Sequence, residues 1–208
     1  MGRLADLGAL LRGTSLEVAP RLLGALLRHG EVAVRLTEVE AYAGPDDPGS
    51  HAYRGRTRRN AVMFGPSGHL YCYFTYGMHV CCNVVVGAEG DPAAVLVRAG
   101  EVVEGVEIAR SRRPGASDRD LARGPARLCR ALGIGLEHDS VDLAAGPIRL
   151  EPGEPVTDVS TGPRVGLRGA PDRPWRFWET GAPTVSAYRP AAPLRRRDPR
   201  SDPRSGQA

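Results

Sequence analysis

The sequence contains no lysine: all 28 of its basic residues are arginine. That absence excludes Schiff-base chemistry on a lysine and leaves only the terminal amine for it. Long apolar runs are missing as well. No stretch approaches the roughly 18 residues needed to cross a bilayer. The start, MGRLADLGALLRG, carries Asp6 and shows no small-residue cleavage site behind an apolar core. A soluble, cytoplasmic protein of bacterial type is expected, with no membrane partner. Cysteine is scarce, and the four residues are Cys72, Cys81, Cys82 and Cys129. Adjacent residues of an extended segment point to opposite faces, and no CxxC or HxxxH spacing occurs, which argues against a disulfide framework or a tetrahedral metal site. The thiols read as reduced and mostly buried. No metal or other cofactor is expected.

What is present suits one folded domain. A chain of 208 residues with 41% hydrophobic content can bury a real core. Charge is uneven along it. Residues 1–188 hold 22 Arg against 22 Asp plus Glu, whereas the last twenty, RPAAPLRRRDPRSDPRSGQA, hold six Arg and two Asp and carry the whole net charge of +4. Such a Pro- and Arg-rich end cannot bury enough surface to fold. The expected organisation is a domain over residues 1–188 and a disordered basic tail over 189–208, serving either solubility or attraction to a polyanion.

The order of elements predicts an α+β fold on a curved, mostly antiparallel sheet with flanking helices. Pro20 suits the start of a helix that continues through LLGALLRHG and ends at Gly30. EVAVRLTEVEAY reads as a strand. Residues 43–68 are turn-rich and polar, and no buried core is expected there. From His69 to Val86 the aromatic and β-branched density returns, with Tyr76-Gly77 offering a hairpin. DPAAVLVRAGEV adds a strand, and EVVEGVEIARSRRPG reads as a short helix running into a basic loop. Gly124-Pro125 opens a helix with Leu128 and Leu132 on one face, followed by short strands and turns.

Two features point to chemistry. In a strand, residues i, i+2 and i+4 share a face, so Glu38, Glu40 and Tyr42 project together. Paired carboxylates on a strand fit either a solvated face or a general base at a pocket. The aromatic residues, although only 5% of the chain, are concentrated: Tyr42, Tyr53, Tyr71, Tyr73 and Tyr76 are five of the six tyrosines. Tyr71 and Tyr73 share a face of their strand. Rings stack on nucleobases at about 1–3 kcal/mol per base, and Arg54, Arg56, Arg58 and Arg59 can meet phosphates. This combination indicates a nucleic-acid partner.

The stretch TEVEAYAGPDDPGSHAYRGRTRRNAVMFGPSGHLYCYFTYGMHVCCNVV resembles the signature region of the alkyladenine (3-methylpurine) DNA glycosylase family. AAVLVRAGEVVEGVEIARSRR, GPARLCRALGI and RFWETGAPTVS resemble its later segments in the same order, so the likeness covers most of residues 18–188. The resemblance implies a monomer that flips a damaged purine out of double-stranded DNA and hydrolyses its N-glycosidic bond. By position, Glu40 matches the carboxylate that activates water and Arg98 the arginine that helps hold it. Arg98 at the end of an apolar strand would otherwise be a salt-bridge partner. Tyr42 and Tyr73 match the rings that sandwich the base, His51 lines the pocket edge, and Asn83 crowds the 2-amino group of guanine. Tyr76 matches the residue that intercalates into the vacated stack. Glu38 is expected to orient or pair with its neighbours, and nothing is carried over to His79. A binding module without catalysis is the alternative, and Glu40 beside Arg98 argues against it, since stacking alone needs no carboxylate. A hydrolase of free nucleosides would need neither the Tyr76 wedge nor the arginine cluster.

Overall fold

The computed structural model describes residues 7–75 and 77–192. In chain order the strands are β1 (Leu26–His29), β2 (Val32–Tyr42), β3 (Leu70–Thr75), β4 (His79–Val86), β5 (Ala93–Glu104), β6 (Ile148–Glu151), β7 (Val159–Gly162) and β8 (Arg176–Glu179). Helix α1 spans Ser15–Arg21, α2 Val106–Arg112 and α3 Pro125–Leu132.

Strand β2 organises the sheet. One of its edges pairs with β5 along nearly its whole length. The other edge is shared, with β1 against Val32–Arg35 and β8 against Glu38–Glu40. The path runs β3-β4-β5-β2-β1-β6, with β7 attached through β8, and the strand pairs are antiparallel. The result is a curled half-barrel with a few flanking helices, one α+β domain, as the element order predicts.

The two faces of the sheet bury different things. Val39, Ala41, Val84, Val95, Val97 and Cys82 point into the main apolar core, where Leu128 and Leu132 of α3 meet them. Fully burying each such leucine stabilises by about 1.5–3 kcal/mol, which holds α3 across the back of the sheet. On the concave face a second, smaller cluster joins Tyr71, Val85 and Ala94 to Ala52 and Met63. Residues 43–68 therefore do contribute to a core, contrary to expectation. The short 3-10 turn at Ala61–Phe64 folds back onto the sheet with Met63, and Ala52 reaches the same cluster from the turn before it.

The helix around Pro20 also differs from expectation. It begins earlier, where Thr14 and Glu17 form a reciprocal capping box, and Pro20 lies in its last turn. Instead of continuing as a helix, LLGALLRHG turns and then forms β1 over Leu26–His29, because extended backbone there bonds β2 on one side and β6 on the other. Gly24, at φ +84°, passes so close to Glu154 that a Cβ would stand 2.1 Å from its carbonyl oxygen. Strand β5 likewise runs two residues past the expected strand, through Val103 and Glu104, where only a helix is expected, and α2 starts only after Gly105.

The expected tail begins with described chain. Gly166 donates its N–H to the Arg189 carbonyl at 2.8 Å, and Arg168 donates to the Ala192 carbonyl at 3.3 Å. Residues 193–208 lie outside the described residues.

Candidate active site

Pairing across the sheet builds the site directly. Tyr71 on β3 pairs with Asn83 on β4, Asn83 with Leu96 on β5, Leu96 with Glu40 on β2, and Glu40 with Arg176 on β8. Residues paired in this way share a face, so one row of side chains crosses the concave surface. The next row contains Tyr73 opposite Cys81. Between Leu36 and Val39 the β2–β5 register shifts twice, so that Thr37 and Arg98 each become an extra residue in the ladder. A bulge re-aims side chains, and here Arg98 meets Glu38 and Glu40 together.

Glu40, Tyr42, His51, Tyr73, Asn83 and Arg98 line one cavity of about 340 Å³, within the range of small-molecule sites. These are six of the residues singled out by sequence, and the fold brings all six together. Tyr76 lies outside the described residues, although Thr75 beside it lines the cavity. Met78 and His79 line a separate groove with Arg112 and Arg130. Glu38 is not on the cavity wall. It lies behind it.

Neither carboxylate faces solvent; Glu38 and Glu40 are both 0% exposed. Glu40 accepts a hydrogen bond from the Tyr42 hydroxyl at 2.8 Å and another from the Val165 backbone N–H at 2.7 Å. Arg98 Nη1 stands 3.3 Å from its Oε1. Burial works against charge on Arg98, yet Glu40 and Glu38 together raise its pKa above the usual arginine value. The arrangement is an oriented, charge-compensated carboxylate at the wall of an aromatic pocket.

The rings are held firmly. Tyr71 and Tyr73 stack with centroids 5.6 Å apart, and His51 meets the Tyr73 ring edge-on at 4.5 Å. His51 Nδ1 is 3.0 Å from the Tyr71 hydroxyl. Asn83 donates from Nδ2 to the Tyr71 carbonyl at 3.3 Å. Burial, reinforced by Glu40, pushes the Tyr42 phenol well above its ordinary pKa, so it stays a neutral donor. Burial likewise pushes the Cys81 thiol up to about 12. All four cysteines are free and buried. Among the surface arginines, Arg59 lies over the Tyr73 ring at 5.6 Å and Arg56 over Phe64 at 6.0 Å.

Several supporting residues escaped sequence reading. Arg164 and Asp47 form a fully buried pair, 117 residues apart in sequence, with Nη2 donating at 2.7 Å. Arg164 also lies between Tyr42, at 4.6 Å, and Trp175, at 5.0 Å, so it backs the pocket ring and anchors the segment that offers Val165 N–H to Glu40. Arg176 and Ser186 surround Glu38. The doubled aspartate in GPDDPGS is the only local hint of Asp47. Nothing local marks Arg164.

A family profile described as methylpurine-DNA glycosylase (MPG) matches residues 9–183. The chain belongs to the methylpurine-DNA glycosylase family. The glycosylase is thus a hydrolase acting on N-glycosyl bonds, with DNA as its substrate. It is 57% identical over 189 residues to a protein of Leifsonia xyli subsp. xyli (strain CTCB07), covering 85% of this chain and 89% of that one. It is 56% identical over 187 residues to one of Nocardia farcinica, covering 84% and 88%, and 55% identical over 193 residues to one of Streptomyces avermitilis, covering 88% and 91%. All three carry the name "Putative 3-methyladenine DNA glycosylase". Among the described residues, no helix of the glycosylase is long and apolar enough to cross a membrane.

Proposed function

We propose that the cavity is a base-excision pocket in which Glu40 activates water against the C1′ carbon of a damaged purine nucleotide. The observation that carries this reading is Glu40 itself: fully buried at the wall of an aromatic cavity and fixed by Tyr42, Val165 and Arg98. A pocket that only stacked bases would gain nothing from a buried carboxylate.

The chemistry follows from how the bond breaks. As the C1′–N bond lengthens, its electrons leave with the purine and the sugar becomes oxocarbenium-like. Glu40 stabilises that positive charge and takes a proton from the attacking water, whose oxygen forms the new bond to C1′. A methylated purine such as 3-methyladenine, the base named for the relatives, is cationic while bonded to the sugar and leaves as the neutral base. Hypoxanthine, a deaminated purine, is a second substrate; it is neutral while bonded to the sugar, and a proton taken from solvent at a ring nitrogen lets it leave as the neutral base. Tyr42 and Tyr73 stack on the extruded base, His51 donates a hydrogen bond to it, and Asn83 excludes guanine through its 2-amino group. Tyr76 fills the vacated position in double-stranded DNA, and the enzyme acts as a monomer.

In a single-turnover assay on duplex DNA containing 3-methyladenine or hypoxanthine, Glu40→Gln is expected to retain lesion binding while base release falls by about 10²–10⁴-fold. Full activity in that variant overturns the assignment. Without a lysine to form a Schiff base, the product is an intact abasic site, broken only after alkali. Direct strand cleavage overturns the monofunctional reading. Tyr76→Ala is expected to weaken affinity for lesion DNA, and unchanged affinity counts against the wedge.

A further inference from the structure

Glu38 touches no part of the cavity, yet it is tied to Arg98 more closely than Glu40 is. Its carboxylate accepts four hydrogen bonds: Arg98 Nε at 2.9 Å, Arg176 Nε at 2.7 Å, and the Ser186 N–H and hydroxyl at 2.6 and 2.9 Å. Arg176 is fixed in turn, donating from Nη2 to the Ser186 carbonyl at 2.9 Å and lying over the Trp178 ring at 4.6 Å. Two carboxylates and two guanidiniums therefore balance in a buried group with Arg98 in the middle.

The geometry of that sharing matters. A guanidinium is planar and its donors are rigidly spaced, so fixing two edges fixes the third. Arg98 spends Nε on Glu38 and Nη2 on the Ser186 hydroxyl, at 3.3 Å, and so presents a single donor, Nη1, to Glu40. Without Glu38, Arg98 would face Glu40 as its one remaining carboxylate. Arginine prefers the two-pronged, parallel arrangement with a carboxylate, which would occupy the lone pairs that Glu40 needs for water.

We propose that Glu38 is a positioning residue for glycosidic hydrolysis, acting through Arg98, with Arg176 and Ser186 holding it in place. The proposal rests on the reading of Glu40 as the group that activates water. It links the chain at 176–186 to the chemistry, although that segment supplies no side chain to the cavity wall.

The test compares single-turnover base release and lesion-duplex affinity for Glu38→Gln, Arg98→Gln, the double variant and Ser186→Ala. Glu38→Gln is expected to slow base release on the order of 10- to 100-fold, the scale of a misplaced catalytic group, with affinity unchanged. The double variant is expected to be no slower than Arg98→Gln alone, because both changes remove the same function. A wild-type rate in Glu38→Gln, or losses that multiply in the double variant, overturns the proposal. Ser186→Ala keeps both charges and the backbone N–H, so it reports even if Glu38→Gln does not fold. Slower release at unchanged affinity supports the proposal, and unchanged release overturns it. Glu40→Gln in the same assay separates the two readings: an active Glu40→Gln defeats the assignment of Glu40, whereas an inactive Glu40→Gln beside a fully active Glu38→Gln defeats this proposal alone.

Discussion

His51 is exposed as a residue, yet partial desolvation of its imidazole at the pocket edge, aided by the Arg59 guanidinium, lowers it from its ordinary 6.5 to about 4. The ring is then neutral throughout the physiological range. If Tyr71 donates to Nδ1, the ring proton resides on Nε2, which can donate to a base. Following the His51 ring resonances by NMR should show titration near 4, and an ordinary titration near 6.5 would contradict this account. The sign for stability is determined by the same shift. Because the folded pKa lies below the unfolded one, the unfolded chain binds more protons between the two values, so stability present above 6.5 is lost as pH falls toward 4. His51→Gln should flatten that loss, measured by denaturant unfolding at both ends of the window. Cys81 illustrates the same logic with opposite chemistry. Raised to about 12 by burial, it is a neutral thiol at the pocket wall, and mass spectrometry should find it unmodified by maleimide until the protein unfolds.

At the scale of elements, the double register shift between β2 and β5 decides which side chains meet. Gly100 pairs with Leu36 immediately before that shift, and a Cβ there would stand 2.3 Å from the Arg35 carbonyl oxygen and 2.4 Å from Val34 Cγ1. Gly100→Ala should therefore push the strands apart beside Arg98, destabilising the fold by about 1–3 kcal/mol, the usual range for overpacking, and slowing base release. Urea unfolding and single-turnover rates on the same variant check both parts. Strand β2 was legible because alternating valines mark a period of two, and α3 because Gly124-Pro125 and its leucines mark a start and a face. Strand β1 was not. LLGALLRHG has helical composition, and only its ladders to β2 and β6, formed with partners remote in sequence, make extended backbone the better solution.

For the molecule as a whole, the buried Asp47–Arg164 pair joins the loop after β2 to the segment before β8. Removing one partner of such a pair leaves an uncompensated buried charge, so Asp47→Ala should cost about 3–5 kcal/mol in chemical unfolding. It should also reduce base release, since Arg164 backs the Tyr42 ring and anchors Val165.

The sequence alone determined the kinds of groups available: an all-arginine basic complement, four cysteines, carboxylates in strand register and a concentration of tyrosines. Strand periodicity was enough to put Glu38, Glu40 and Tyr42 on one face, because that rule is local. Their burial was not local. Whether the face met water or a pocket depended on Val165, Arg164 and Ser186, which approach β2 from more than a hundred positions away. The difference between a solvated pair of glutamates and a charge-balanced site lies in those long-range donors, and only the folded chain could bring them there.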